Sequence, residues 1–256
     1  MGLFNGKPPF GLAQHGSELP PKPIPFDCTV CTMKLRIWDL PTRIFHFLLI
    51  LALFGSFATI YLSDDLVLWH ARIGLFFLSL LIFRVLWGFC GGHWSRFQSF
   101  VSSPSAALQA LRETLSGRTQ FTTGHNPIGG WSVLVMMGLL LLQVLAGLCS
   151  DDEVAFSGPL TKYLSEAWVE RATWYHTEVG VWLIVAVVSV HVLMIFWYRK
   201  RYGHDLVTPM ITGDKELSIA SHEDAPPSSQ DTSKDRIMAL VMFALIALLV
   251  YGSINL

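Results

Sequence analysis

The chain has 256 residues, of which 52% are hydrophobic and only 14% charged, and its mean hydropathy is +0.47. Soluble domains are about a quarter charged, so a soluble globular protein is excluded and an integral membrane protein is expected. The formal net charge of −1 says little, because the placement of the charges matters more than their sum; no nucleic-acid partner is expected.

Residues 1–35 read as a Pro-rich cytoplasmic tail. Its PPKPIPF stretch is extended and poorly ordered in expectation, and the first forty residues show no apolar h-region of a signal peptide. The tail holds Cys28 and Cys31 as CTVC. A CxxC can be a redox pair or half of a zinc site, a four-thiolate site needs two such pairs where this chain has one, and covalent haem attachment needs a histidine where Thr32 stands. Cys90 and Cys149 lie at ends of apolar segments and read as small apolar residues.

Five apolar runs follow, at 44–62, 66–89, 131–149, 174–198 and about 237–256, each near the roughly 20 residues of a spanning helix. Residues 218–236, rich in Ser, Asp and Pro, read as a flexible linker before the fifth run. Basic residues orient the chain. Of the 18 Lys and Arg residues, only Arg72, Lys162 and Arg171 fall on one side of the spans. The positive-inside rule then puts the N-terminus in the cytoplasm, the 150–173 loop outside and the C-terminus in the periplasm of a bacterial inner membrane. The outer loop carries Asp151, Asp152, Glu153, Glu166 and Glu170 and leans acidic.

Four histidines lie in the runs. His176 and His191 sit fifteen positions apart in the fourth, roughly 22 Å along a helix. With His46 near the cytoplasmic start of the first and His70 near the outer start of the second, the depth-matched pairs are His70 with His176 outside and His46 with His191 inside. Imidazole is costly to bury in lipid without a partner, so an intramembrane histidine points to function. Two imidazoles from two helices at one depth suit a bis-histidine haem; zinc draws three or four ligands to one point. Gly74 and Gly180 each lie four residues after a histidine, on the same helix face, and bare backbone there leaves room for a flat ring.

Several segments resemble the bacterial and nickel–iron-hydrogenase type cytochrome b561 family: WDLPTRIFHF (38–47), WHARIGLFFLSLLIFRVLWGF (69–89), HWSRF (93–97), GHNPIGG (124–130), the HTEVG of the fourth run and DLVTPMITGDKEL (205–217). They cover roughly 36–217 in collinear order. The resemblance implies an all-α integral membrane fold, a four-helix bundle holding two haem b. The first, second and fourth helices supply its iron ligands, which map onto His46, His70, His176 and His191. The fifth helix at 237–256 lies outside the pattern and reads as a packing or docking element. Phe47 stands where the family often has Trp.

Arginine pairs with carboxylates in a bidentate fork, so Arg43, one turn before His46, and Arg72 are the candidates for holding haem propionates. Arg84 is expected to snorkel to the interface. His93, Arg96 and His125, all on the cytoplasmic side, are candidates for a quinone site. No nucleophile–base set, phosphate loop or peptidase motif is present. The expected role is an electron-transfer subunit of a multi-subunit complex, linking a periplasmic redox protein such as a c-type cytochrome or a hydrogenase to the quinone pool in membrane lipid. Alternatives are a stand-alone quinol oxidase acting on small oxidants such as superoxide, and a haem-bearing anchor without electron flow.

Overall fold

The computed structural model describes residues 31–117, 122–154, 156–219 and 226–254. Cys28 and Arg118 lie outside the described residues. Five helical stretches among them are long and apolar enough to cross a membrane, and together they form a helical membrane bundle.

Helix α1 spans Leu40–Leu62. Asp39 caps it, its Oδ1 accepting from Thr42 N at 2.8 Å, and Pro41 fits the first turn, where no N–H is needed. A short turn at Asp64–Leu66 leads to α2, Val67–Cys90. After α2 come α3, Phe97–Phe100, and α4, Pro104–Leu115, the latter capped by Ser103. Helix α5, Pro127–Leu148, starts at Asn126, whose Oδ1 accepts from Gly129 N at 2.6 Å. Then α6, Glu166–Trp174, runs through a π-helical turn, Tyr175–Gly180, into α7, Val181–Tyr202. Gly203 closes α7 in the left-handed region at φ 69, which costs glycine little. Helix α8 is Val207–Thr212, and α9 is Ser233–Ser253 with a capping box between Thr232 and Asp235.

The caps explain why α1 and α5 start earlier than hydropathy alone places them. A polar cap followed by proline adds a helical turn that no apolar periodicity marks. The fourth span is one stretch of 37 residues, Glu166–Tyr202, well beyond the roughly 20 a bilayer needs.

Helix α2 is the centre. More than half of its most apolar window is buried, against under a fifth for each other span. Leu75, Phe77, Leu80, Leu81, Phe83 and Trp87 of α2 meet Phe45 and Ala52 of α1, Leu140 of α5 and Ile246 of α9 in one core. Lipid is as apolar as these side chains, so close van der Waals packing rather than water exclusion holds the helices together. The fifth helix packs on α2, with Phe243 edge-on to Phe76 and Phe83 at 5.9 and 6.0 Å. At its outer end Tyr251 Oη donates to the carbonyl of Arg72 at 2.7 Å.

The end of the bundle where α1 starts carries a polar cap with a two-stranded antiparallel ribbon. Strand β1, Cys31–Arg36, pairs with β2, Asp214–Ile219, in the register Arg36 to Asp214 and Cys31 to Ile219. Residues 31–35 thus belong to this cap and not to the tail, as the sequence reading had it. The linker reading also needs correction for 226–232. Ser229 is buried, its N–H donating to Arg36 O at 2.8 Å and its hydroxyl to Ile37 O at 2.6 Å. Trp94 Nε1 reaches Pro227 O at 2.7 Å. Ser and Pro look like linker residues by composition, but here their backbone groups satisfy the cap. Arg36 binds Asp214 at 2.5 Å and Asp231 at 2.6 Å, and Arg236 reaches Asp231 at 2.9 Å, so both strands and the start of α9 share one ion network.

Candidate functional site

The outer histidine pair comes together. His70 on α2 and His176 in the π-helical turn have ring centres 6.0 Å apart, with planes at 80°. His70 Nδ1 lies 3.0 Å from Ser56 O of α1, and His176 Nδ1 lies 2.9 Å from Gln143 O of α5. A carbonyl only accepts, so each Nδ1 carries the proton and each neutral ring keeps the Nε2 lone pair. This second contact fixes ring orientation and strengthens a metal-ligating imidazole. A shared metal, with bonds of about 2 Å to each ring nitrogen, requires ring centres close to the separation observed. The wide π-helical turn, a form often found at functional sites, carries His176 toward α2.

Glycines shape this centre differently from expectation. A Cβ on Gly74 would meet nothing within 4 Å, which leaves open space beside α2. Gly180 is instead filled by a neighbouring helix: a Cβ there would come 1.8 Å from Gln143 Oε1. Its bare backbone lets Gln143 pass, and Gln143 Nε2 donates to His176 O at 2.8 Å. Gly147 of α5 gives the close approach at His176, whose Cε1 lies 2.7 Å from where a Cβ would stand. Ser56, Gln143 and Gly147 were not singled out by sequence reasoning. They lie on helices α1 and α5, in stretches without a histidine, and only a packed structure reveals them.

The inner pair is built from α1 and α7. His46 and His191 are near enough to interact electrostatically, and His46 Nδ1 is buried without a partner among the described residues. His125, just before α5, lies between the rings of Trp38 at 4.7 Å and Phe100 at 4.8 Å. Burial, with Arg84 and then His191 adding to it, pushes His125 down to about 3, so it is neutral at physiological pH. Its Nδ1 has no partner either. A 360 Å³ cleft opens here, lined among others by Trp94, Phe100, Ser102 and His125, a size within the range of small-ligand pockets.

The remaining candidates separate. His93 packs against the Trp94 ring at 5.0 Å, and Arg96 Nε donates to Gly91 O at 2.9 Å; neither lines the cleft. Arg43 Nη2 donates to the Ile211 carbonyl while its Nε stays unpartnered. Arg72 is exposed, stacked over Trp69 at 5.1 Å. The snorkelling expected of Arg84 belongs to Arg72. Arg84 is 3% exposed, enclosed by Phe97 and Phe100 at 5.5 and 5.9 Å.

Beside Arg84 lies Asp39, fully buried. Its Oδ2 accepts from Trp87 Nε1, Gly92 N and Ser95 Oγ at 3.1, 2.8 and 2.9 Å. This one carboxylate ties α1 to the end of α2 and the turn after it. It is the Asp of the WD dipeptide, legible as a helix cap but not as the centre of a buried network.

The residues present suit haem: at the outer pair two imidazoles whose Nδ1 atoms face carbonyls, open space at Gly74 and, among the described residues, unpartnered nitrogens on Arg43 and Arg84. Compared with known proteins, the family model for prokaryotic cytochrome b561 matches residues 37–213. No curated protein and no solved structure matches the chain.

Proposed function

The chain belongs to the prokaryotic cytochrome b561 family, whose members are b-type haem electron-transfer proteins of membranes, and on that premise we propose that it carries electrons across the bacterial inner membrane on two haem b. His70 and His176 would hold the outer haem, and His46 and His191 the inner. The observation that carries the reading is the outer pair: two rings 6.0 Å apart, each held by its Nδ1 to a carbonyl of a third or fourth helix.

When bound, each haem supplies a one-electron couple whose potential is set by its axial ligands and burial. The chain's own part is to hold and tune. Ser56 and Gln143 carbonyls raise the basicity of His70 and His176. Apolar packing around α2 keeps water from the centres. In the proposed orientation the N-terminus is cytoplasmic and the C-terminus periplasmic. The cleft at His125 is the proposed quinone site, with His93 and Arg96 on the adjoining turn. The outer loop and α6 present the face for a periplasmic redox protein, a c-type cytochrome or hydrogenase-like partner.

The test is purification in detergent with haem quantification, a reduced-minus-oxidised spectrum and acid–acetone extraction. Two extractable haems per chain are expected. One haem per chain, or haem that stays covalently bound, overturns the proposal.

A further inference from the structure

We infer that Arg84 is the buried partner of a propionate carboxylate of the inner haem, an inference that rests on the di-haem reading above. A guanidinium sealed from solvent on a membrane helix is costly unless an anion meets it. Arg84 is 3% exposed, and its Nη1 is buried without a partner among the described residues. Asp39 is the anion that acts on it electrostatically, but that carboxylate already accepts from Thr42 N, Trp87 Nε1, Gly92 N and Ser95 Oγ. It offsets the charge of Arg84 through space and leaves Nη1 open for an oxygen acceptor.

The location matches the inner centre. Arg84 and His191 both act electrostatically on His125, and His191 acts on His46, so the cation belongs to the same cluster as the inner imidazoles. The rings of Phe97 and Phe100 hold its carbon atom from one side and shield the pair from competing water. Haem b carries its two carboxylates on one edge, and Arg84, six residues before the last residue of α2, stands at the depth of His46, six residues after the first residue of α1. Arg72, by contrast, is exposed and stacked on Trp69, so the two ends of α2 differ: a buried cation inside, a solvated one outside.

A fixed positive charge beside a propionate favours the reduced haem, and its removal favours the oxidised form. In Arg84→Gln protein the inner haem is expected to lose about tenfold in its reduced-to-oxidised ratio at fixed ambient potential, about 59 mV for one electron. The outer haem stays where it is and reports an intact fold. Arg84→Lys, which keeps the charge, restores part of the shift. Redox titration followed by low-temperature EPR reads the two haems separately under mildly alkaline conditions, where a free carboxyl remains ionised. If wild type binds both haems and Arg84→Gln leaves the inner potential unmoved, this inference falls while the di-haem reading stands. If wild type lacks the inner haem, both fall. If the potentials hold but quinol reduction loses affinity, the acceptor is a quinone carbonyl and the inference is wrong. A second measurement covers misfolding of the variant: wild-type apoprotein reconstituted with haem b dimethyl ester should fill the inner site at least tenfold more weakly than with haem b, and equal filling overturns the inference.

Discussion

The ring of His176 lies against Gly147, its Cε1 2.7 Å and its Nδ1 3.0 Å from the position of a Cβ on residue 147. Real Cβ atoms do not approach that closely, and the same ring is held by Gln143 O four residues earlier on α5. Gly147→Val is therefore expected to push His176 out of line with His70, although Gly147 ligates nothing. Haem content should fall from two per chain to one, with the outer spectral component missing. Retention of both components in Gly147→Val protein shows that the ring can move without losing its ligand role.

Single replacements of the histidines should sort by depth. His70→Ala and His176→Ala each remove the outer haem and leave the inner, whereas His46→Ala and His191→Ala do the reverse. Potentiometric titration of each variant checks this. Survival, in the His70 variant, of the component lost from the His176 variant breaks the pairing.

Asp39→Ala removes the acceptor of several buried donors together and the counter-charge of Arg84. Each buried donor left without an acceptor costs about 1–3 kcal/mol, so a marked fall in thermal unfolding temperature in detergent is expected. Asp39→Asn keeps an oxygen but cannot accept from all these donors, and should fall between the two. The helical content at low temperature should remain, because each span satisfies its own backbone.

The ion network of the cap predicts an acid-sensitive dock for α9. Burial works against the charge of Asp231, yet hydrogen bonds from Arg236 and Arg36 hold it below its ordinary value of 3.8. A carboxylate depressed in the folded state contributes stability that is present above the unfolded value and lost as pH falls through the folded one. Detachment of α9 should thus increase below about pH 4. Proteolysis of the 226–232 segment across a pH series reads it, and Asp231→Asn should show the acid behaviour already at neutral pH. Equal resistance of the variant at neutral pH removes the network from the docking account.

For the external face, Asp151 and Asp152 are poor choices for charge removal, because Asp151 Oδ1 accepts from Glu153 N and Asp152 Oδ1 from Val154 N and Phe156 N. They shape the loop. Glu166 and Glu170 on α6 are exposed and carry charge without that role. Glu166→Gln with Glu170→Gln should slow electron exchange with a basic periplasmic partner several-fold at low salt and flatten its salt dependence, with quinol reduction of the haems unchanged. If quinol reduction slows instead, the proposed sidedness is inverted.

Hydropathy and histidine spacing made the spans and the outer pair legible before any coordinates. The helix starts were less so, because a cap and a proline add a turn without apolar residues, as at Asp39–Pro41 and Asn126–Pro127. The two arginines of α2 were read the wrong way round. One-dimensional depth places both near an end of the helix, but only packing tells that Phe97 and Phe100 fold back over Arg84 while Trp69 leaves Arg72 open. Gly180 was taken for ring space on the same grounds as Gly74, and the difference lies in Gln143, which sits on another helix. The β ribbon left no mark either, since its strands are six residues long and each lacks a partner nearby in sequence.

That ribbon also sets an order of events during synthesis. Arg36 and its partner Asp214 are 178 residues apart, with four spans between them. β1 emerges first and has nothing to pair with until the fourth span is in the bilayer, and Asp231 then arrives with the stretch leading into α9. The cap therefore closes last, and its closure certifies a chain whose four haem-bundle spans have all gone in. A truncated or misinserted chain would keep an open strand edge at this end of the bundle, where unpaired backbone is a template for pairing with another chain.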